Sequence, residues 1–278
     1  MKPLEQQTIL VTGATDGLGR ALAAHLAAGG ARVLIHGRDP VRAADTVEQI
    51  RAAVPGARLE TYLADLSSLA EVRRLAEQVG AAHPGLDALV SNAGIGTTVP
   101  GGGRRQESAD GIELRFAVNY VAGYLLTRLL LPVLTAAAPA RIVHVSSLGQ
   151  TAVDFADPML TRRYDGVRAY CQSKLAQILF TVDLAAELEG TGVTVNALHP
   201  ATYMPTKIVA APVSSIEDGV AATSRLLTDP ALDAVSGAFF NGTRRAEADP
   251  QAYDPRARAR LRELSDRLTA SFATPTGY

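Results

Sequence analysis

Tyr170 and Lys174 are the two side chains whose types and spacing most directly suggest chemistry. They open a stretch of helical pattern that runs to Leu188, and residues four apart share one face of a helix. A tyrosine has a pKa of about 10, but a neighbouring ammonium favours the phenolate and lowers that pKa. The pair therefore predicts a group that donates and accepts a proton near neutrality. The alternative is an ordinary tyrosine and lysine on a helix surface.

A glycine-rich turn over residues 12–19 (TGATDGLG) indicates a binding site for an anion. Gly13, Gly17 and Gly19 let the backbone turn sharply and approach a bulky group. The helix predicted from Leu18 to Ala28 would add free N–H groups and the positive end of its dipole. We therefore predict that the turn binds a pyrophosphate. A tight turn between a strand and a helix, without a ligand, is the alternative.

The residues after the second predicted strand favour NADP(H) over NAD(H). In dinucleotide-binding folds an acid at this place holds the ribose 2′-hydroxyl, whereas an arginine accommodates a 2′-phosphate. Gly37 stands where the acid usually lies, and the guanidinium of Arg38 is suited to phosphate. Asp16 and Asp39 add negative charge nearby and leave NAD(H) open as a cofactor. A solvated Arg38 without a ligand is the alternative interpretation.

The elements that must position these groups alternate between strands and helices. Apolar runs alternate with amphipathic stretches of helical length, which indicates βαβ units and a parallel sheet. We predict an α/β protein with a doubly wound Rossmann fold, a mostly parallel seven-stranded sheet and helices on both faces. Its ligand sites should lie at the carboxyl ends of the strands. The predicted strands are 8–12, 32–36, 59–63, 86–90, 141–145, 193–198 and 237–240.

No linker divides the sequence, so we expect residues 1–278 to form one dinucleotide-binding catalytic domain. A peripheral helical tail is expected over about 250–278, with an amphipathic helix at 256–270. Irregular composition predicts three loops, and the second is long enough to cover a substrate. These loops are 101–105, 150–166 and 203–215.

Composition and charge argue against several classes of function. The formal net charge is −1, which disfavours nucleic acid as the main partner. The one cysteine, Cys171, fits a reducing compartment, and residues 1–7 lack the apolar core of a signal peptide. The apolar run from Tyr124 to Leu134 is shorter than the roughly 20 residues that span a bilayer, and it reads as a core helix. We therefore expect a soluble, cytoplasmic protein without a membrane partner.

Two kinds of catalytic site are also disfavoured. The five histidines and the cysteine show neither HxxxH nor CxxC spacing, so we predict no metal site. The GxSxG pattern of serine hydrolases is absent around Ser147.

Further motifs follow the predicted strands at the same edge of the sheet. Asn92-Ala93-Gly94 follows the fourth strand, Ser146-Ser147 follows the fifth, and Asn119 lies in a helical stretch between them. With the TGxxxGxG turn and the YxxxK pair, they stand in the order typical of the short-chain dehydrogenase/reductase family. The chain resembles that family from about Thr8 to Asn241. The segments YCQSK, TGVTVNALHP and SGAFF and the tail RARLRELSDRLT are most similar to its retinol-dehydrogenase-like and WW-domain-oxidoreductase-like branch.

The resemblance implies roles for the matching residues. Tyr170 would exchange a proton with the substrate oxygen, and Lys174 would bind the nicotinamide ribose and lower the pKa of Tyr170. Ser147, rather than Ser146, would hydrogen-bond the substrate oxygen, and Asn119 would hold a water that relays protons through Lys174. The residues expected to contact the cofactor are Gly13, Thr15, Asp16, Gly17, Leu18, Gly19, Arg38, Asp65, Leu66, Asn92, Ala93, Gly94, Tyr170, Lys174, Pro200 and Thr202.

The chain departs from the family pattern at three places. The stretch between Ser147 and Tyr170 is longer than in compact members and includes the loop 150–166. His199-Pro200-Ala201 replaces the usual Pro-Gly pair, which leaves Thr202 and Thr206 as alternatives for the family threonine. His144 replaces an asparagine often seen before the serine pair, and we interpret it as a strand residue rather than a base.

These features lead to a hypothesis and an alternative. The hypothesis is an NADP(H)-dependent oxidoreductase that interconverts a carbonyl and an alcohol on a small or medium hydrophobic substrate. The alternative is a dinucleotide-binding redox sensor or scaffold without turnover, against which the four catalytic side chains argue. Family members often form homodimers or homotetramers, so a second copy of the chain is a further expected partner. The apolar loop residues that suggest a hydrophobic substrate are Val153, Phe155, Met159, Tyr203, Met204 and Ile208.

Overall fold

A single sheet dominates the computed structural model, which describes residues 1–97, 103–202 and 214–273. Its strand order is β3-β2-β1-β4-β5-β6-β7-β8. The first seven strands pair in parallel, and β8 pairs antiparallel with β7. The strands are β1 (Thr8–Val11), β2 (Arg32–Gly37), β3 (Arg58–Leu63), β4 (Ala88–Ser91), β5 (Ala140–Val145), β6 (Val193–His199), β7 (Phe239–Asn241) and β8 (Arg244–Ala246).

The strand order reverses between β1 and β4, which lie side by side although two crossovers separate them in sequence. Val11 pairs with Val90, so the turn after β1 and the segment after β4 leave the sheet next to each other. A reversal of this kind opens a crevice at the carboxyl ends of the strands, where doubly wound folds bind ligands. The predicted doubly wound sheet is confirmed, with β8 as an eighth strand that was not predicted.

Helices cover both faces of the sheet and bury two apolar clusters. One cluster includes Leu10 and Leu34 and faces α3, α4, α5 and α7, whereas the other includes Ile9 and Val11 and faces α1, α2 and α6. The side chains of successive β1 residues therefore enter the two clusters in turn, as in parallel strands that are buried on both faces. The helices are α1 (Gly17–Ala28), α2 (Pro40–Ala53), α3 (Leu69–Ala82), α4 (Ala122–Ala136), α5 (Gly166–Glu187), α6 (Ile216–Thr228) and α7 (Pro255–Thr269).

The apolar stretch between β4 and β5 is longer than the sequence suggested. A π-helical turn, Phe116–Val121, runs directly into α4, so the helical segment Phe116–Ala136 is long and apolar enough to cross a membrane by length and composition. Within its most apolar window, 61% is buried inside the protein. Leu125, Leu126 and Leu130 belong to the core beneath the sheet, which agrees with the predicted core helix.

The C-terminal helix α7 packs against the body of the protein. Its Ala257 and Leu261 are buried, and the hydroxyl of Ser265 lies 2.6 Å from that of Tyr120 in the π-helical turn. The amphipathic pattern thus predicted the helix correctly. The pattern did not reveal that α7 covers the part of the core beside α5.

Candidate active site

The turn after β1 fits tightly against the segment after β4. Gly13 has a φ of +64°, and a Cβ placed on it would lie 2.9 Å from the Cα of Ala93. A Cβ on Gly19 would overlap the carbonyl oxygen of Gly13. Both positions therefore require glycine, and the backbone of the turn stays open at the start of α1. This is the geometry that a pyrophosphate needs at a helix N-terminus.

Asn92 and Thr12 fasten this turn to β4. The Asn92 Nδ2 donates to the carbonyl oxygens of Thr12 (2.8 Å) and Gly13 (3.2 Å). The Thr12 Oγ1 accepts from the backbone N–H groups of Asn92 (2.9 Å) and Ala93 (3.0 Å). The structure brings Asn92 and Ala93 to the glycine turn, whereas Gly94 lies beside Asn119 and Lys174. Thr12 is a bracing residue that sequence reasoning missed.

His36 is a second bracing residue that the sequence did not single out. Its Nδ1 accepts from the backbone N–H of Gly13 at 3.1 Å, and its Nε2 lies 3.1 Å from the carbonyl oxygen of Ala64. These partners require a neutral ring with its hydrogen on Nε2. Burial lowers the pKa of His36 to about 4, which keeps the ring neutral. The sequence signal that could have indicated this bracing role is a histidine at the end of a strand, just before Gly37.

Two acids near the predicted 2′-phosphate site already have structural partners. Asp39 caps α2 by accepting from the backbone N–H groups of Val41 and Arg42. Asp16 caps α1 through Gly17, and its carboxylate pairs with the Arg42 guanidinium at 2.6 Å. Their negative charge is thereby partly compensated. Arg38 is exposed at the end of β2.

Gly37 also has a steric reason to be glycine. A Cβ at this position would lie 2.5 Å from the Cγ2 of Thr15 in the glycine turn. An acidic side chain therefore does not fit here unless the turn shifts. The predicted cofactor residue Thr15 meets Gly37 at the point where the end of β2 approaches the turn.

Asp65 and Leu66, predicted to contact adenine, follow β3. The Asp65 carboxylate accepts from the backbone N–H of Ser67 at 2.9 Å, while its own N–H donates to Glu71 at 2.7 Å. Leu66 is buried in the core. Asp65 thus shapes the loop that passes the end of β2.

The two serines after β5 have different partners. The Ser146 hydroxyl is buried and donates to the backbone carbonyl of Lys174 at 2.7 Å, which ties β5 to α5. The Ser147 hydroxyl lies near the Tyr170 phenol, whose pKa it lowers, and it accepts from the N–H of Gly149 at 3.0 Å. Ser147 is therefore the serine that lies beside Tyr170, and its role towards a substrate stays a prediction.

Gly149 makes room for this cluster, a role that the sequence did not show. A Cβ on Gly149 would lie 3.3 Å from the Cys171 Sγ and 3.5 Å from the Ser147 Oγ. Its absent side chain lets the start of α5 approach the end of β5. Cys171 is partly buried there, and burial raises the pKa of its thiol.

Tyr170 and Lys174 share one face of α5, as their spacing predicts. The Lys174 Nζ lies 5.8 Å from the centre of the Tyr170 ring. The ammonium donates to the carbonyl oxygen of Val145 (2.9 Å) and to the Oε1 of Gln177 (3.1 Å). Asp165 caps α5 by accepting from the N–H of Arg168 at 2.7 Å, which sets where the helix starts.

The electrostatics of this pair differ from the prediction in one respect. Burial raises the pKa of Tyr170, and the hydrogen bond from Ser147 only partly opposes that rise. The predicted lowering by Lys174 is wrong for this geometry, because the ammonium bonds to Val145 and Gln177 rather than to the phenol. Burial also lowers the pKa of Lys174 to about 8.

Asn119 lies in the π-helical turn and fastens the segment after β4. Its Oδ1 accepts from the N–H of Ile95 at 2.8 Å. Its Nδ2 donates to the Ile95 carbonyl (3.1 Å) and to the Ser173 hydroxyl (2.9 Å). Asn119 therefore links this segment to α5 beside Lys174, whereas its role in holding a water stays a prediction.

The segment after β6 is described only in part. His199 ends β6, and its Nε2 lies 3.1 Å from the Oγ1 of Thr202. Pro200 is buried beside it. This pairing gives Thr202 a fixed partner near the predicted site. Four residues from the predictions lie outside the described residues: Tyr203, Met204, Thr206 and Ile208.

The insertion between Ser147 and Tyr170 is anchored through its apolar side chains. Val153 is buried in the core, and Phe155 and Met159 are partly buried against it. The suggestion that these loop residues make the substrate site hydrophobic stays a prediction. Leu148, which adjoins Ser147, is an apolar side chain that is 47% exposed. His144 is a buried strand residue, as predicted, and burial lowers its pKa to about 4.

Comparison with known proteins places these features in a family. A short chain dehydrogenase family model matches residues 7–215. Mouse (Mus musculus) retinol dehydrogenase 13 is 35% identical over 94% of this chain and 83% of its own length. The zebrafish (Danio rerio) WW domain-containing oxidoreductase is 34% identical over 98% of this chain and 70% of its own length. The structure of a Pseudomonas aeruginosa RhlG/NADP active-site complex superposes with a TM-score of 0.70 at 27% identity, covering 87% of this chain and 97% of that one.

Proposed function

This chain belongs to the short-chain dehydrogenase family, and from that premise we propose that it interconverts a carbonyl and an alcohol with NADP(H) as its cofactor. Membership in the retinol-dehydrogenase-like branch makes it an NAD(P)-dependent oxidoreductase. The observation that carries the finer proposal is the cluster of Ser147, Tyr170 and Lys174 beside the glycine turn. Proton-transfer groups and a dinucleotide cradle thereby meet at one edge of the sheet.

The residues around the turn fit a dinucleotide. Gly13 and Gly19 leave a backbone cradle that a Cβ would fill, and α1 begins directly beneath it. When bound there, the nicotinamide supplies or accepts the hydride. Gly94 lies close to Lys174, since a Cβ on this glycine would come within 3.5 Å of the Lys174 Nζ. Lys174 is therefore placed to bind a ribose that follows the turn towards α5.

In the reductive direction, Tyr170 donates its phenolic proton to the substrate oxygen as that oxygen gains charge. The Ser147 hydroxyl, which lies near the phenol, holds the same oxygen and stabilises the charge. Burial raises the pKa of Tyr170, so the phenol keeps its proton at neutral pH and is ready to donate it. In the oxidative direction the same group would accept the proton from the alcohol.

The preference for NADP(H) rests on three features around the end of β2. Gly37 has no room for an acidic side chain, because Thr15 occupies that space. Asp39 and Asp16 have helix-capping roles, and Asp16 also pairs with Arg42. Arg38 is exposed at the strand end and can receive a phosphate. A similar structure holds NADP, which supports the same choice.

A hydrophobic substrate is supported by the surroundings of Ser147. Leu148 exposes 47% of its surface although it adjoins a polar catalytic cluster. Val167, in the first turn of α5, exposes 57%. Large apolar side chains at a site mouth favour apolar ligands. A relative named for retinol supports an apolar alcohol or its matching carbonyl.

The test is NADPH and NADH oxidation by the purified protein with retinal, a series of straight-chain aldehydes and an aromatic ketone. We expect turnover with NADPH, weaker turnover with NADH, and a gain in kcat/KM as the aldehyde chain lengthens. Tight NADPH binding without turnover of any of these compounds would contradict the proposal. That result would favour a dinucleotide-binding sensor or scaffold.

A further inference from the structure

A buried ion pair next to the site takes no part in the proposed chemistry. Glu113 and Arg115 lie just before the π-helical turn, and their residues are 1% and 0% exposed. Their closest charged atoms, Oε1 and Nη1, are 3.8 Å apart. A buried charge is costly unless it is fully hydrogen-bonded. The partners of these two side chains therefore show what the pair holds in place.

Arg115 binds the segment that follows β4. Its Nε donates to the carbonyl oxygen of Gly96 and its Nη2 to that of Thr97, each at 3.0 Å. The same segment begins at Ile95, which is fixed by Asn119 at its N–H and carbonyl. Residues 95–97 therefore lie between the cofactor strand and the fully buried guanidinium.

The third donor of Arg115 reaches across to the insertion. Its Nη1 donates to the Tyr164 hydroxyl at 2.6 Å, and that hydroxyl donates to the Glu113 Oε1 at 2.9 Å. The other oxygen of Glu113 accepts from the backbone N–H of Phe116 at 2.7 Å, at the start of the π-helical turn. Tyr164 thus completes the hydrogen bonding of both charges.

The position of Tyr164 links this network to the catalytic helix. It directly precedes Asp165, the residue that caps α5, and α5 carries Tyr170 and Lys174. Three parts of the site are thereby joined through one buried network: residues 95–97, the π-helical turn with Asn119, and the entry to α5. Rigid support of this kind is what holds reacting groups at a productive separation.

We propose that Glu113, Arg115 and Tyr164, the clasp, position residues 95–97 against the entry to α5 and so set the affinity for the carbonyl substrate. This inference rests on the proposed function for its effect on substrate. The three side chains are positioning residues, since they act through residues 95–97 and α5. Removing the Tyr164 hydroxyl leaves the Arg115 Nη1 and the Glu113 Oε1 without their shared partner, and the segment loosens.

The chain offers a control tyrosine on β3, an outer strand of the sheet. Tyr62 on β3 is also partly buried, and its hydroxyl lies 3.3 Å from Glu60 Oε2 and 3.1 Å from His83 Nε2. Tyr62→Phe and Tyr164→Phe remove the same atom from a similar acid-containing cluster. Glu60 is a third exposed, so Tyr62→Phe should cost less stability than Tyr164→Phe, and only the second variant touches the clasp.

The first measurement is amide hydrogen exchange at Ile95, Gly96 and Thr97 in the full chain. We expect the Ile95 N–H to exchange about tenfold faster in Tyr164→Phe than in wild type, because a tenfold change follows from losing about one charge-assisted hydrogen bond. Tyr62→Phe should leave this rate unchanged. Equal exchange at residues 95–97 in both variants would overturn the clasp, whether or not the protein turns over any carbonyl.

The second measurement is steady-state kinetics with NADPH and nonanal. Tyr164→Phe should raise KM for nonanal about tenfold while kcat and the Kd for NADPH change less than about twofold. A faster-exchanging variant with an unchanged KM would overturn the role in substrate affinity. Arg115→Lys keeps the charge but cannot reach all three partners, so it should raise KM further if it folds. If the wild-type protein does not reduce nonanal, the proposed function fails for this substrate. The hydrogen-exchange result then tests by itself whether the clasp holds residues 95–97.

Discussion

The turn after β1 and the stretch from Ser147 to Tyr170 meet at the same edge of the sheet but are built from different parts. The turn is made of glycines and backbone hydrogen bonds, with Asn92, Thr12 and His36 as braces. The second region depends on side chains that reach far along the sequence, such as Gln251, which bonds to Val153 across 98 residues. A site built from backbone groups suits a cofactor that is the same for every substrate. A site built from side chains can differ between proteins that act on different substrates.

Ser147→Ala should give the largest effect among the substitutions that separate these regions. Loss of the hydroxyl removes a donor from the substrate oxygen, and such donors typically contribute a factor of about 10²–10³ to kcat. The Kd for NADPH should stay within about twofold.

Ser146→Ala is the matched control, because its hydroxyl bonds to the Lys174 carbonyl rather than to Tyr170. Steady-state kinetics and urea unfolding on both variants provide the check. A loss of kcat in Ser146→Ala equal to that in Ser147→Ala would remove the distinction between the two serines.

Arg38→Asp should act on the cofactor region alone. Replacing the exposed guanidinium with a carboxylate should weaken NADPH binding by about tenfold to a hundredfold, the loss of one charge-assisted contact. NADH binding should change little. Fluorescence titration with each cofactor gives the ratio of the Kd for NADPH to the Kd for NADH. Arg20→Asp, on the exposed face of α1, serves as a charge control. If the ratio of the two Kd values is unchanged in Arg38→Asp, another residue binds the 2′-phosphate of NADPH.

The pH profile of carbonyl reduction should report the buried ammonium. Burial lowers the pKa of Lys174 to about 8, so its charge is lost as the pH rises through that value. The kcat/KM for reduction should therefore be flat below pH of about 8 and fall by up to tenfold per unit above it. Stopped-flow or steady-state assays across this range give the profile. A flat profile well into the alkaline range would contradict a role for the Lys174 charge.

The smallest effect concerns folding stability in acid. Burial lowers the pKa of His144 in the folded protein to about 4, below its ordinary value of 6.5. The unfolded chain therefore binds the proton first, and stability present above pH 6.5 is lost as the pH falls towards 4. The contribution is at most about 3 kcal/mol.

His144→Asn should flatten this acid dependence, because an amide does not titrate. Urea unfolding at several pH values compares the variant with wild type, while the Kd for NADPH serves as the control for an intact cofactor turn. Identical slopes in the two proteins would show that His144 does not carry the effect. The other buried histidine, His36, keeps a similar contribution in both proteins.

The sequence predicted the parts of the molecule that depend on local pattern. The glycine turn, the Tyr170–Lys174 spacing and the alternation of strands and helices follow from short-range periodicity and conformational preference. These features need few contacts between distant residues, so one sequence is enough to reveal them. The choice of Ser147 over Ser146 came from the resemblance to the family rather than from local pattern.

The rest depended on contacts that periodicity does not encode. The bond from Lys174 to Val145, the burial of Val153 in the core and the bond from Arg115 to Tyr164 join residues far apart in the chain. An arginine or a histidine in an apolar stretch gives no local sign of its acceptor. The eighth strand was missed for a similar reason, because β8 is only three residues long and pairs at an edge.

The most direct test of the central claim is Tyr170→Phe, measured for both turnover and NADPH binding. The variant loses the proton donor but keeps the aromatic ring beside Lys174, so the fold and the glycine turn should be preserved. We predict that carbonyl reduction with NADPH disappears while the Kd for NADPH stays within about twofold of wild type. Turnover that survives in Tyr170→Phe would contradict the account.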